Sequence, residues 1–349
     1  MLLSVVIPVH NTSLYVEKCV DSIVSQQLQI YDFEIILVEN ASSDDSYEQC
    51  LRLQDKYNMY NIVVLKTDIA GVGNARNEGL KLCKGDYVHF IDSDDYIAAG
   101  MYLEYFNIVK KYNPDFIISG IINYFENNGC KVVESPLFSE YLSDKNSVKF
   151  FLEKLDHKDK IWALNVLWNR WYKMSLIKDN NIELRVDVNL GEDFVFNCSV
   201  MTYCRCGSVV SDSFYYYMKR GTITLVNVFR DDVIYRRSIM YRSFCELYNS
   251  YNLLDSKKDF IDKIEGKLLF GSLYTIFGKS CPFSRSMKIA FLRKICLSDF
   301  FSLAIKYAKE KNSIYHRLFL WFFHYKLFIY IYILLYMRNC MMILGSRNK

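Results

Sequence analysis

Three carboxylates stand within four residues in the stretch FIDSDDYI, residues 90–97, where Asp92, Asp94 and Asp95 follow an apolar run that ends at Ile91. Like charges this close repel one another, so the cluster is a poor structural choice unless a cation or a donor-rich ligand shares the site. If the strand continues through the motif, side chains two apart point the same way, which puts Asp92 and Asp94 on one face and Ser93 and Asp95 on the other. Two hard oxygen donors at the mouth of a sheet suit Mg²⁺ or Mn²⁺, an ion that keeps some waters and borrows oxygens from a diphosphate. The plainer alternative is that Asp94 or Asp95 caps the helix beginning near Met101. A second acidic pair, Glu192 and Asp193, sits before an apolar run in LGEDFVFN. Such acids either complement a helix dipole or supply a base that deprotonates an attacking hydroxyl, and Asp193 is the best-placed type for that work. Arg76 and the pair Lys219 and Arg220 are either diphosphate binders or solvated surface charges. Trp168, Asn169 and Trp171 either stack on a sugar ring or belong to the core.

The elements that must position these residues alternate in period. Strand-like runs at 2–9, 33–38, 62–65 and 87–91 are separated by helix-like runs at 14–27, 43–56 and 74–82. Ser42 precedes the second helix with Asp45 three residues on, a capping-box spacing. Repeated strand–helix order argues for a doubly wound α/β fold with a mostly parallel sheet, in which ligands bind beyond the carboxyl ends of the strands. The four strand ends read PVHN, ENASSD, TDIAGVGNAR and DSDD; each is polar and three carry acids. The turn after the first strand has no glycine, which excludes the dinucleotide-binding fingerprint, and no Walker-type GxxxxGK[ST] occurs.

Half of the 349 residues are apolar and the net charge is +4. From Lys279 onward the chain holds 13 Lys and Arg against Asp299 and Glu310, so a basic tail of +11 follows a stretch of −7. Eleven cysteines lack any CxxC pair; Cys204 and Cys206 have no partner in sequence for zinc, and reduced thiols are expected. The start of the chain carries no basic region or cleavage site of the secretory kind. Residues 318–337, LFLWFFHYKLFIYIYILLYM, are interrupted by His324 and Lys326, and read as an aromatic-rich element lying at a membrane interface rather than crossing it. The alternative is a packed helix of the core.

SVVIPVHN (4–11), ENASSDDS (39–46), GVGNARNEGL (71–80), GDYVHFIDSDDYI (85–97), WNRWYK (168–173) and GEDFVFN (191–197) occur in this order. Together they resemble glycosyltransferase family 2, inverting enzymes of the GT-A fold, over residues 2–225. The resemblance implies a GT-A domain at 1–225 and a helical, basic and aromatic region at 226–349. It implies Asp94 as metal ligand with Asp92 facing the nucleotide ribose, Glu39 and Asn40 beside the base, Arg76 at the diphosphate and Asp193 as catalytic base. Pro8 and His10 fall at the end of the first strand beside the nucleotide, with Trp168, Asn169 and Glu192 on the acceptor side. Asn40 and His10 depart from the usual Asp and Tyr; Asn40 can still accept from uracil N3–H and donate to O4, and His10 either stacks on the base or is a spectator.

The reading that follows is a metal-dependent glycosyltransferase using a nucleotide-sugar donor, a UDP-sugar favoured. Its acceptor is a hydroxyl of a lipid-linked saccharide or oligosaccharide in capsular polysaccharide, exopolysaccharide or O-antigen assembly. The protein is expected in the cytoplasm, held at an anionic membrane surface by its tail, with no nucleic-acid partner. The rival reading is a catalytically inactive nucleotide-sugar-binding protein of the same fold.

Overall fold

A computed structural model describes residues 2–26, 28, 32–135, 139–155, 163–220, 229–278 and 280–347, with side chains to residue 341. The chain divides into two compact units, 1–222 and 223–349. The boundary expected at 225/226 lies outside the described residues.

The first unit opens as three strand–helix repeats: β1 (Leu3–Val9), α1 (Val16–Val24), β2 (Phe33–Asn40), α2 (Ser46–Lys56), β3 (Asn61–Thr67) and α3 (Val72–Leu82). Then come β4 (Tyr87–Phe90), β5 (Tyr96–Ile97), α4 (Met101–Tyr112), β6 (Phe116–Phe125), β7 (Cys130–Glu134), β8 (Glu140–Leu142) and α5 (Lys145–Lys154). The unit closes with β9 (Arg170–Lys173), α6 (Met174–Asp179), α7 (Glu192–Tyr203) and β10 (Gly207–Lys219). The described strands form a ten-stranded sheet in the order β3-β2-β1-β4-β9-β6-β10-β5, with β7 on β6 and β8 on β10. Pairing is parallel from β3 to β4, antiparallel on both sides of β9, and parallel again between β6 and β10.

Every residue of β1 and β2 is buried. Strands buried on both faces are mostly apolar, which is why LSVVIPV and FEIILVEN read as near-continuous runs rather than alternating ones; the buried exceptions pair, Ser4 donating to Glu34 at 2.6 Å. Each Val or Ile so covered contributes roughly 1.5–3 kcal/mol. Helix α3 lies close on this layer because Gly79 has no side chain: a Cβ there would stand 2.3 Å from a methyl of Val6. That close approach carries the first turns of α3, and Arg76 with them, to the carboxyl edge of the sheet.

Two expectations need correction here. The strand-like runs named from sequence stop at 87–91, yet Arg170–Lys173 is a strand inserted between β4 and β6. Its alternation decides this: Trp171 joins the core on one face, while Arg170 and Tyr172 on the other bond Asn197 of α7. The helix after β2 begins at Ser46 with Asp45 as its cap residue and no side-chain cap bond. Ser42 instead accepts from the Asn11 amide, so the capping-box spacing there is coincidental.

The second unit is helical: α8 (Val233–Ser250), α9 (Leu254–Ser272), α10 (Arg285–Cys296), α11 (Ser302–Lys311), α12 (Ile314–His324) and α13 (Phe328–Arg347), around a core that includes Leu269, Leu273, Leu292, Phe319, Ile331 and Leu335. An ion pair joins α8 to the buried Glu265 of α9. Arg237 Nε donates to Glu265 Oε1 at 2.7 Å and its Nη2 donates to Glu265 Oε2. The single element expected at 318–337 is two helices, broken at residues 325–327, where Lys326 has φ 56°. Among the described residues no helix is long and apolar enough to cross a membrane.

Candidate active site

Residues 92–95 are not a continuation of β4. They form a turn in which the Asp95 amide donates to the Asp92 carbonyl at 3.0 Å. The separation of faces expected from strand alternation is nonetheless what the turn produces. Ser93 is 4% and Asp95 2% exposed, whereas the Asp92 and Asp94 side chains are 28% and 44% exposed. Asp95 is held inward by the Tyr215 hydroxyl at 2.9 Å and the Met218 amide at 2.8 Å, and burial pushes its carboxyl well above the usual range. Neither Asp94 nor Asp95 caps α4, whose cap residue is the left-handed Gly100.

Arg76 joins the acidic motifs. Its guanidinium is 3% exposed, with Nη2 2.7 Å from Asp92 Oδ1 and Nη1 2.6 Å from Asp193 Oδ1, and Glu192 stands 3.6 Å from Nη1. Asp92 and Asp193, a hundred residues apart in sequence, thus share one buried cation. The terminal nitrogens that the sequence offered to a diphosphate are engaged by carboxylates here. Burial pushes the Asp193 carboxyl up to about 8 against the pull of Arg76, with Glu192 and Asp92 adding repulsion. Both acids lie in the first turn of α7, after the left-handed Gly191.

Arg220, just past β10, reaches Asp94 Oδ2 at 2.9 Å and packs over the Tyr15 ring at 4.0 Å. Lys219 lies over the ring of Tyr217 at 3.8 Å. Both basic residues therefore stand beside the acidic turn. On the β1–β2 side, Pro8 is buried in β1, and the exposed His10 bonds the Asn40 carbonyl through Nδ1 at 2.6 Å. Glu39 is 1% exposed; one oxygen accepts from the Ser42 amide at 2.6 Å and the other is buried without a partner. Asn40 is occupied by the chain itself: Nδ2 donates to the Ile69 carbonyl at 2.6 Å and Oδ1 accepts from the Gly71 amide at 2.8 Å.

Trp168, Asn169 and Trp171, offered by the sequence to a sugar ring or to the core, are buried. Asn169 and Trp171 have no exposed surface, and the Asn169 amide donates to the Ser119 carbonyl at 2.7 Å. Trp168 is 4% exposed and stacks on Tyr215 at 4.1 Å. Sequence reasoning missed Tyr15, Tyr215 and Thr12, whose hydroxyl bonds Ser93 at 2.8 Å. The alternating tyrosines of FYYYMKR were the one available signal, because a strand sends Tyr215 and Tyr217 to one face and Tyr216 to the other.

Asp92 and Asp94 are the outward-facing oxygen donors, and among the described residues no group of three His, Cys, Asp or Glu is arranged to hold a metal ion. Two exposed carboxylates with no third protein ligand fit a hard divalent cation that completes its shell from phosphate oxygens and water. They do not fit an ion caged by protein alone.

The sequence profile of glycosyl transferase family 2 matches residues 4–180, and the chain belongs to that family of enzymes. Its fold is GT-A. It is 31% identical over 220 residues to a poly(ribitol-phosphate) beta-glucosyltransferase of Bacillus spizizenii, covering 62% of this chain and 32% of that protein. It is 24% identical over 260 residues to the uncharacterised glycosyltransferase EpsJ of Bacillus subtilis, covering 74% and 73%. The chain thus spans about a third of the first relative's length. Residues 1–349 of Staphylococcus aureus TarS, solved with UDP-GlcNAc, superpose with a TM-score of 0.65 at 21% identity, over 97% of this chain and 92% of that one. A mannosyltransferase of Pyrobaculum calidifontis, solved with GDP-Man and Mn²⁺, gives 0.51 at 12% identity over 89% and 88%.

Proposed function

We propose that this chain moves a sugar from a nucleotide-diphosphate donor, a UDP-sugar, to a hydroxyl of a lipid-linked saccharide, with inversion at the anomeric carbon. The observation that carries the reading is the Arg76 bridge, which sets Asp92 and the less exposed carboxylate Asp193 on two sides of one guanidinium. A donor end and a base end are thereby fixed relative to each other before any substrate arrives, the form of preorganisation that transfer to a hydroxyl requires.

In this reading Asp193 accepts the proton of the acceptor hydroxyl as its oxygen attacks the sugar carbon on the face opposite the nucleotide. The bond to the diphosphate breaks, and the leaving group keeps the electron pair. Arg76 orients Asp193 and favours its ionised form against burial. Lys219 and Arg220 stand where a diphosphate gathers positive charge, and Arg220 exchanges Asp94 for phosphate oxygens. Asp92 and Asp94 would hold Mg²⁺ or Mn²⁺, which when bound supplies charge neutralisation on the departing diphosphate. Glu39 and His10 flank the base. The UDP preference rests on the Staphylococcus aureus neighbour solved with UDP-GlcNAc, and the polymer setting on relatives named for poly(ribitol-phosphate) glycosylation. Work on a lipid-linked acceptor puts the protein at the inner face of the cell membrane.

The test is donor binding and hydrolysis across UDP-, GDP- and dTDP-sugars, with and without Mn²⁺, in wild type, Asp94→Ala and Asp193→Asn. One preferred nucleotide, metal-dependent binding lost in Asp94→Ala, and turnover lost with binding kept in Asp193→Asn are expected. Asp193→Asn turning over at the wild-type rate would overturn the assignment of the base.

A further inference from the structure

Ten large apolar side chains of α12, α13 and the break between them are exposed, within 28 residues of chain. On α12 and its end they are Ile314, Leu318, Trp321 and Tyr325, 70, 43, 53 and 57% exposed. Their spacing of four, three and four residues places them on one stripe of the helix. Along α13 the exposed set includes Ile333, Tyr336, Met337 and Met341, at 38, 51, 58 and 61%. The opposite faces of both helices are in the core of the unit: Phe319 and Ile331 are fully buried, as is Leu335, and Phe328 is 8% exposed. Both apolar stripes therefore face away from one shared core. A helix apolar all round is ordinarily covered on every side, and a contiguous exposed patch of this kind marks an interaction surface.

The charges around the stripes select the partner. No acidic residue occurs from 311 to the end of the chain. Arg317 and His324 are exposed on α12, on the same flank of its stripe, and Lys326 is exposed at the break. A protein partner would be met by charges of both signs, whereas apolar rings and methyls rimmed by cations alone match an acyl layer beneath anionic headgroups. The left-handed turn at Lys326 matters here, because it divides what reads in sequence as a spanning-length segment into two helices that each keep a face on the core.

We propose that the α12–α13 hairpin is a docking surface for anionic lipid bilayer, lying in the interface with Trp321, Tyr325, Tyr336 and Met337 among the acyl chains and Arg317 and Lys326 at the headgroups. The surface belongs to the second unit and does not depend on the transfer chemistry assigned to the first.

Cosedimentation of the full chain with phosphatidylcholine vesicles, with and without phosphatidylglycerol, tests it, together with quenching of tryptophan emission by brominated lipid. Binding is expected only to the anionic vesicles and is weakened by salt; Arg317→Gln with Lys326→Gln weakens it about thirtyfold. The quenching falls in Trp321→Phe, which keeps an aromatic ring and the binding, because Trp168 and Trp171 are buried away from any lipid. Trp321→Ser with Tyr336→Ser abolishes binding while the melting temperature holds. Equal binding to neutral vesicles, or quenching undiminished in Trp321→Phe, overturns the proposal. So does a lipid-independent dimer, seen by analytical ultracentrifugation, that dissociates in Trp321→Ser with Tyr336→Ser while wild type ignores vesicles; the face would then meet a second copy of the chain.

Discussion

Two arginines, one in each unit, are paired with carboxylates away from solvent, and their surroundings differ in charge balance. Arg237 faces a single carboxylate, Glu265, through two parallel bonds. Arg76 faces three, Asp92, Asp193 and Glu192, within 3.6 Å. A one-to-one bidentate pair is electrically closed and has no reason to attract anything further. One cation among three carboxylates leaves net negative charge in a site of low dielectric; burial raises the Asp193 carboxyl, Arg76 opposes it, and Glu192 and Asp92 add to the rise. Burial alone does not mark a functional charge: Arg170 is buried as deeply, donating to the Asn197 amide oxygen and the Ala163 carbonyl, and serves the fold.

The sharpest way to break this comparison is to remove the carboxylate assigned to chemistry. Asp193→Asn should lower kcat by about 10²–10⁴-fold, the usual share of a positioned base, with donor affinity unchanged by calorimetry. In the balanced pair the loss falls on folding instead. Glu265→Ala should destabilise by about 3–5 kcal/mol, because Arg237 is left unpaired away from solvent, while turnover per folded molecule stays at the wild-type level. Replacing both partners, Arg237→Met with Glu265→Leu, should recover most of that stability in a denaturant melt. The same double removal applied to Arg76 and Asp193 should recover no turnover.

The smallest effect is in the pH profile. Because burial raises the Asp193 carboxyl and a base must be deprotonated to act, kcat/KM should climb through a limb well above the ordinary carboxylate range. Arg76→Gln removes the cation that opposes burial, so the limb should move further to alkaline pH, by about 1–3 units. A limb that stays in place, or moves to acid, would mean that Arg76 does not act on Asp193.

Much of the first unit was legible in sequence because parallel strands buried on both faces are mostly apolar and turn polar at the ends where ligands bind. The runs ending at Val9, Asn40 and Phe90 carry that signature. The six motifs located the acidic turn and Glu192 and Asp193, but not the ion pairs between them, since a contact between positions 76 and 193 leaves no local trace. Trp168 and Asn169 were read by residue type alone; their burial follows from the insertion of β9 between β4 and β6, a topology that no periodicity within WNRWYK reveals. The break at 325–327 was missed because its left-handed residue is Lys326 rather than the glycine or asparagine that usually announces such a turn.

Asn40 has a consequence for how this protein can change. Its amide joins the end of β2 to the turn before α3, donating to Ile69 and accepting from Gly71. The aspartate usual in the family at this position would keep the second bond and set a carboxylate oxygen against the Ile69 carbonyl. Asn40→Asp alone therefore works against its neighbours. The strand end and residues 68–71 form one heritable module, and a graft intended to alter nucleotide preference has to exchange both pieces together.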